Sequence, residues 1–275
     1  MPDALQTPAL RWHLADLDFS QIDVVRTRER DELFFLVCSA SLIESGSNMY
    51  TDNLLAYFSE DTEVCAWLVD HWKPEELQHG RALKAYVCHV WPEFDWDRAY
   101  AGFLAEYSVL CHNDKLEPTR GQEMVARCIV EMGTTTYYQT LNALCGEPIL
   151  QNLSWRIRND EIQHYRYFYR FFLKYQRLEN LHRVKIIEAL WRRIAELRHS
   201  DAEIALRHAI AGRFHDAAQT YSMGSVRKQV YEMMVDKYPI GLAVRMTLKP
   251  LRLNARLQQW IERPLGVMAQ RMLIV

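Results

Sequence analysis

Residues 73–80 read KPEELQHG and residues 159–165 read NDEIQHY. Each stretch sets a glutamate three positions before a histidine, Glu76/His79 in the first and Glu161/His164 in the second. On an α-helix, residues three apart share a face, so each pair can aim one carboxylate and one imidazole at the same point. The spacing alone selects nothing, because Glu179/His182 and Glu196/His199 repeat it. What sets the first two pairs apart is the sequence upstream of them. Glu44 interrupts the apolar stretch FFLVCSASLIESG (34–46), and Glu131 interrupts ARCIVEMGTTTYY (126–138). Glu76 follows Glu44 by 32 residues and Glu161 follows Glu131 by 30, while the two half-motifs are offset by 87 and 85. The motif is therefore duplicated. About thirty residues make half of one long helix, a turn and half of the next, so each carboxylate faces its pair across an antiparallel hairpin. Glu179/His182 fails this test because the acid upstream of it, Glu147, lies in a Gly-Pro turn. Glu196/His199 sits at a polar helix end, where the histidine complements the helix dipole.

Ten glycines and nine prolines punctuate 275 residues, and the stretches between them carry helical periodicity, which predicts an all-α protein. The expected helices run over about 29–59, 62–91, 97–110, 118–144, 149–175, 179–199 and 201–223, followed by a less regular tail containing Pro239, Pro250 and Pro264. Pro74 lies inside the second and predicts a kink rather than a stop, since the apolar stripe continues beyond it. The polar turn His112, Asn113, Asp114 and the stop signal Gly146, Pro148 separate helices. Four long helices with one crossover give a ferritin-like four-helix bundle core over about 29–175. A helical C-terminal annex over about 176–275 completes a single domain.

Four carboxylates brought together inside such a bundle would repel and protonate, whereas two divalent cations neutralise them and are bridged by them. Two imidazoles and four carboxylates leave positions open for dioxygen, which suits two iron ions, or manganese, better than a closed structural zinc site. The predicted ligands are Glu44, Glu76, His79, Glu131, Glu161 and His164. For any one of them a helix-face acid or a core histidine is the simpler reading; the doubled spacing is what favours metal.

Composition bounds the rest. Apolar residues make up 49% of the chain and charged residues 25%, enough for a large core, and with a net charge of −2 no strong global field argues for nucleic acid or for an anionic membrane surface. The end of the chain is locally basic, with Arg245, Lys249, Arg252, Arg256, Arg263 and Arg271 against Glu262. It reads as a solvated helix, with a landing surface for an acidic partner as the alternative. Six cysteines without a CxxC pair read as small buried hydrophobes in a reducing compartment. The opening MPDALQTPALRWH does not read as a secretory signal, and no window is apolar enough for a membrane span, so a cytoplasmic location is expected.

At these boxes the chain resembles the soluble acyl-carrier-protein desaturases, a branch of the ferritin-like di-iron proteins. KPEELQHG stands where that family has an EENRHG-type box and NDEIQHY where it has a DEKRHE-type box. Trp72 precedes the first acids by three residues, Tyr50 follows Glu44 by six, and Thr134 follows Glu131 by three, as in the family. The resemblance spans roughly residues 30–170. Leu77 and Gln78 replace the family's Asn-Arg, and Ile162 and Gln163 its Lys-Arg. It implies that Thr134 helps deliver protons to activated oxygen, with ordinary helix-face packing as the alternative. It also implies that Asp160 holds the tautomer of a ligand histidine. Trp12 reads as a buried N-terminal anchor, with the family's electron-entry tryptophan as the alternative. The activity implied is dioxygen-dependent desaturation of an acyl chain on acyl carrier protein, with electrons from a donor such as ferredoxin and a homodimeric enzyme. Hydroxylation or N-oxygenation of a small metabolite keeps the same ligands; a short polar pocket would favour it over a long apolar tunnel. Non-enzymatic iron storage and a metal-free helical interaction module are the remaining readings.

Overall fold

The computed structural model of the chain describes residues 10–111, 116–196, 201–213 and 222–273, and every regular element among them is helical. None of these helices is long and apolar enough to cross a membrane. The N-terminal stretch makes two short 3-10 turns, Leu14–Asp16 and Phe19–Gln21, and a one-turn helix α1 (Val24–Arg28). Then follow α2 (Asp31–Ser45), α3 (Ser47–Tyr57), α4 (Thr62–Trp67), α5 (Lys73–Val90), α6 (Trp96–Tyr107), α7 (Arg120–Cys145) and α8 (Pro148–Leu178). The C-terminal part adds α9 (Arg183–Glu196), α10 (Asp201–Arg213), α11 (Met223–Val235), α12 (Ile240–Leu248) and α13 (Ala255–Leu273).

The α7–α8 hairpin shows how local chemistry sets the register of the core. Thr119 caps the start of α7 by accepting from the Gln122 amide. Gly146 ends the helix at φ 63°, a left-handed conformation that an L side chain rarely adopts. The Glu147 side chain then accepts from the amides of Ile149 and Leu150, and Pro148 fills the first turn of α8, where a missing N–H costs nothing. Glu131 lies 14 residues before Cys145 and Glu161 13 after Pro148. At about 1.5 Å per residue both carboxylates are therefore about 20 Å from the turn, on one level.

Two sequence expectations change at the ligand level. The helix expected over 29–59 is broken at Gly46, whose amide is shared between the Leu42 and Ile43 carbonyls, so Glu44 lies in the last turn of α2. A π-helical turn, Leu68–Trp72, joins α4 to α5 just ahead of Pro74, where the sequence predicts a kink. The wider turn carries the helical path through the missing proline donor and places Glu76 in the first turn of α5.

The interior divides into two apolar clusters. One joins Leu33–Leu42 of α2, Ala82–Val90 of α5, the Tyr138 end of α7 and the Leu150 end of α8 with residues of α6, α10 and α11. The other joins Leu54 and Phe58, Trp67 and Trp72, the Met124 end of α7 and the Phe168 end of α8 with residues of α9 and Met246 of α12. Glu76, His79, Glu161 and His164 lie in sequence between residues of the one cluster and residues of the other. The C-terminal helices thus share the interior of the core. Contacts such as Tyr165 OH donating to the Met246 carbonyl at 2.6 Å tie them to it. The tail expected to be irregular is mostly helical, with Pro239 ahead of α12 and Pro264 inside α13. The turn at His112–Asp114 and His199 lie outside the described residues. Of the cysteines, Cys38, Cys128 and Cys145 are buried as expected, but Cys65 and Cys111 are half-buried and Cys88 is exposed.

Candidate metal centre

All six predicted ligands are buried, and they converge from four helices: α2 supplies Glu44, α5 Glu76 and His79, α7 Glu131, and α8 Glu161 and His164. They form two overlapping groups. Glu44, Glu76, His79 and Glu161 bring one donor atom each within 4.8 Å of one another, and so do Glu76, Glu131, Glu161 and His164. Glu76 and Glu161 belong to both, the placement expected of bridging carboxylates.

The imidazoles are oriented for ligation. His79 Nε2 meets Asp160 Oδ2 at 3.0 Å, and His164 Nε2 meets Glu75 Oε2 at 2.7 Å. Each ring thereby donates its Nε2–H to an outer carboxylate and turns Nδ1 inward. His79 Nδ1 lies 3.2 Å from Glu161 Oε1 and 3.8 Å from Glu44 Oε2. His164 Nδ1 lies 3.1 Å from Glu76 Oε1 and 3.6 Å from both Glu131 Oε2 and Glu161 Oε2. Among the described residues His79 Nδ1, His164 Nδ1 and Glu161 Oε1 have no hydrogen-bond partner despite complete burial. Buried polar atoms left this way are costly, and a metal cation is the group that would satisfy all three. The donor set of four carboxylates and two imidazoles fits two iron or manganese ions.

Around the ligands a second set of side chains limits their movement. Tyr138 donates to Glu44 Oε1 at 2.5 Å, Trp72 Nε1 to Glu131 Oε1 at 3.3 Å and the Thr134 hydroxyl to Glu161 Oε2 at 2.8 Å. Arg11 bridges the two outer carboxylates, 3.2 Å from Glu75 Oε2 and 2.9 Å from Asp160 Oδ1. Trp12 is buried, donates to Asp160 Oδ2 at 2.7 Å and stacks on His79 with 7° between planes. It is an anchor, as its sequence suggested, and also a direct partner of the His79 side of the site.

Sequence reasoning missed Glu75, Arg11 and Tyr138. Glu75 had a signal: each box carries an acid just before its ligand glutamate, and the logic applied to Asp160 applies equally to Glu75. Arg11 had none, because its partners lie 64 and 149 residues away. Of the two remaining Glu-x-x-His pairs, Glu179/His182 does not join the groups, and His199 of the other lies outside the described residues. Glu179 instead accepts from the Gly121 amide at 3.0 Å. Beside the outer face of His164, a cavity of about 350 Å³ is lined by Arg11, Trp67, His71, Glu75, His164 and Tyr167.

Without metal the cluster must hold protons. Burial, reinforced by the Glu161 charge, pushes the Glu131 carboxyl up to about 8, and burial with Glu161 and Glu44 raises Glu76 in the same direction. Burial would raise Glu161 too, but the His164 and His79 imidazoles beside it hold it well below the ordinary range. Both histidines are raised despite burial, His79 by Asp160, Glu161 and Glu44, and His164 first by Glu131 and Glu161. Burial opposes ionisation of Glu75 as well, yet His164 and then Arg11 bring it down to about 2.

These shifts predict how the metal-free protein responds to pH. The unfolded chain gives up the Glu131 proton near 4.5, whereas the folded chain keeps it until about 8, so stability falls as pH rises through that window. Glu76, His79 and His164 act with the same sign. Chelated protein is expected to melt lower at about pH 8 than at about pH 5, and metal-loaded protein to lose that trend, since bound cations displace the protons. Thermal melting with and without chelator checks this; the same pH dependence in both states would contradict it.

Comparison with protein-family models and with curated proteins gave no match.

Proposed function

We propose that this protein is a non-haem di-iron, dioxygen-dependent oxidase. The observation that carries the reading is the pair of buried donor groups sharing Glu76 and Glu161, with both Nδ1 atoms turned inward onto carboxylate oxygens and making no hydrogen bond of good geometry. Glu44 and His79 would hold one ion, Glu131 and His164 the other, and Glu76 and Glu161 both. Two iron ions there would supply the reduction of dioxygen that drives hydrogen abstraction from an unactivated C–H bond. The chain's own residues prepare that chemistry. Asp160 and Glu75 keep the Nε2 protons and so free the Nδ1 lone pairs, and the apolar clusters on either side exclude water. The Thr134 hydroxyl holds a proton at Glu161 Oε2, one helical turn from Glu131, which supports a proton-delivery role better than simple packing. Trp12, bonded to Asp160 behind His79, offers a contact through which electrons could enter.

An acyl chain on acyl carrier protein is the substrate implied by the resemblance at the two boxes. A ferredoxin-like donor, a homodimer and a cytoplasmic location belong to the same proposal. A small metabolite is the second reading, favoured by the charged and polar groups of Arg11, His71 and Glu75 in the cavity beside His164. To separate the two, protein loaded anaerobically with ferrous iron is exposed to oxygen with acyl carrier thioesters and with a panel of small amines and acids. Iron-dependent oxygen consumption with loss of a hydrogen pair from the acyl chain is the expected result. Gain of one oxygen atom by a small metabolite would establish the second reading. Iron-loaded protein that consumes no oxygen with any of them would overturn the oxidase assignment.

A further inference from the structure

Helix α13 presents the wrong side to water. Gln258, Ile261, Leu265, Gly266 and Ala269 are half-buried on one face, and that face meets α12, where a Cβ on Gly266 would lie 3.7 Å from Ile240 Cγ2. The opposite face is open, and its apolar side chains follow one another at helical spacing: Leu257 is 38% exposed, Trp260 78%, Val267 54% and Met268 52%. A helix that only packs on a soluble core turns its largest apolar side chain inward; here the tryptophan points out. The charges on this face have one sign. Arg256 and Arg263 are exposed beside Trp260, whereas Glu262, the only acid of α13, is half-buried and accepts from Gln258 Nε2 at 2.8 Å.

The basic rim decides what can cover the stripe. A second copy in a two-fold pair would bring the same patch against itself, so the basic rim formed by Arg256 and Arg263 would meet a rim of the same sign. The occupant must instead be apolar within and anionic at its rim. A convex single helix with outward tryptophan and flanking arginines matches the interface of an anionic lipid bilayer, where the indole lies at headgroup depth and guanidinium groups meet phosphates. We propose that α13 is an interfacial helix that docks this protein on anionic membrane surfaces through Trp260, Leu257, Val267 and Met268, with Arg256 and Arg263 supplying the electrostatic attraction.

The test is co-sedimentation of the full chain with phosphatidylcholine vesicles, with and without phosphatidylglycerol. The wild type is expected in the pellet only with the anionic vesicles and to be released by high salt. The double variant Trp260→Ser/Met268→Ser should remain in the supernatant. Arg256→Gln/Arg263→Gln should partition about thirtyfold more weakly, the loss expected from two interfacial basic side chains. Val25→Ser, at an exposed apolar residue of α1, should bind like the wild type. Helical content by circular dichroism, unchanged in all three variants, would show that loss of binding is not loss of fold. Wild-type protein that stays in the supernatant with anionic vesicles, or a Trp260→Ser/Met268→Ser variant that still pellets, would overturn the proposal. Sedimentation velocity showing a dimer that the same variant dissociates would assign the stripe to a second copy and overturn it equally.

Discussion

Replacing Glu161 with alanine is expected to lower the iron retained after anaerobic loading from about two ions per chain to well below one. Glu161 belongs to both donor groups, with Oε1 3.2 Å from His79 Nδ1 and Oε2 3.6 Å from His164 Nδ1, so one truncation takes a ligand from each ion. It also removes the acceptor of the Thr134 hydroxyl and leaves two raised histidines without their shared counter-charge. Glu44→Ala makes the informative comparison. Glu44 belongs to one group only, so that variant should keep about one ion, held by Glu76, Glu131, Glu161 and His164. Iron quantified after removal of free metal distinguishes the two. Equal losses in both variants would mean that Glu161 does not bridge.

The second large effect is expected from a residue that touches no metal. A Cβ added at Gly80 would lie 2.7 Å from Ser45 Oγ, 2.8 Å from the Ser45 amide nitrogen and 2.9 Å from Ser45 Cα. The hydroxyl can rotate away, but the backbone atoms cannot, so Gly80→Ala must push α5 from α2. Those two helices meet where His79 precedes Gly80 and Glu44 precedes Ser45, and the added methyl would part the ligands of one ion directly. Overpacking of this kind costs about 2–3 kcal/mol, which for a chain of this size lowers Tm by about 3–5 °C. The variant should bind about one ion fewer than the wild type. Gly133 provides the control: it lies in α7 beside the ligand layer, and a Cβ there meets nothing within 4 Å. Gly133→Ala should be neutral or stabilise by up to about 1 kcal/mol, as alanine does in a helix. Melting curves and iron content of both variants test the contrast, and a Gly80→Ala protein that behaves like Gly133→Ala would contradict it.

The six candidate ligands are legible because their pattern is local twice over. Each Glu-x-x-His pair needs only the helical repeat, and the thirty-residue offset to its partner needs only a hairpin of two long helices. Duplication then separates these pairs from Glu179/His182 and Glu196/His199. The same arithmetic could not see Arg11, which reaches Glu75 and Asp160 from an N-terminal stretch whose path depends on the folded core. Nor could it foresee the break at Gly46, because glycine inside an apolar helical pattern is often tolerated, and here close packing decides: a Cβ would meet Phe103 and Tyr107 at 3.3 Å. At Pro74 the missing N–H marks a perturbation in the sequence, but its form, a π turn over Leu68–Trp72, depends on the folded backbone. The exposed stripe of α13 was hidden for a related reason. Sequence periodicity identifies an amphipathic helix, but which face is covered depends on how α12 and α13 dock.

The central claim is a pair of metal ions held by two buried groups that share two glutamates. Its most direct test is the iron content of the purified chain after anaerobic ferrous loading, with its absorption on exposure to oxygen, for the wild type, Glu131→Ala and His164→Ala. The account predicts about two irons per chain in the wild type, and loss of the paired site in both variants. Absence of stoichiometric iron, or iron content that neither substitution changes, would contradict it.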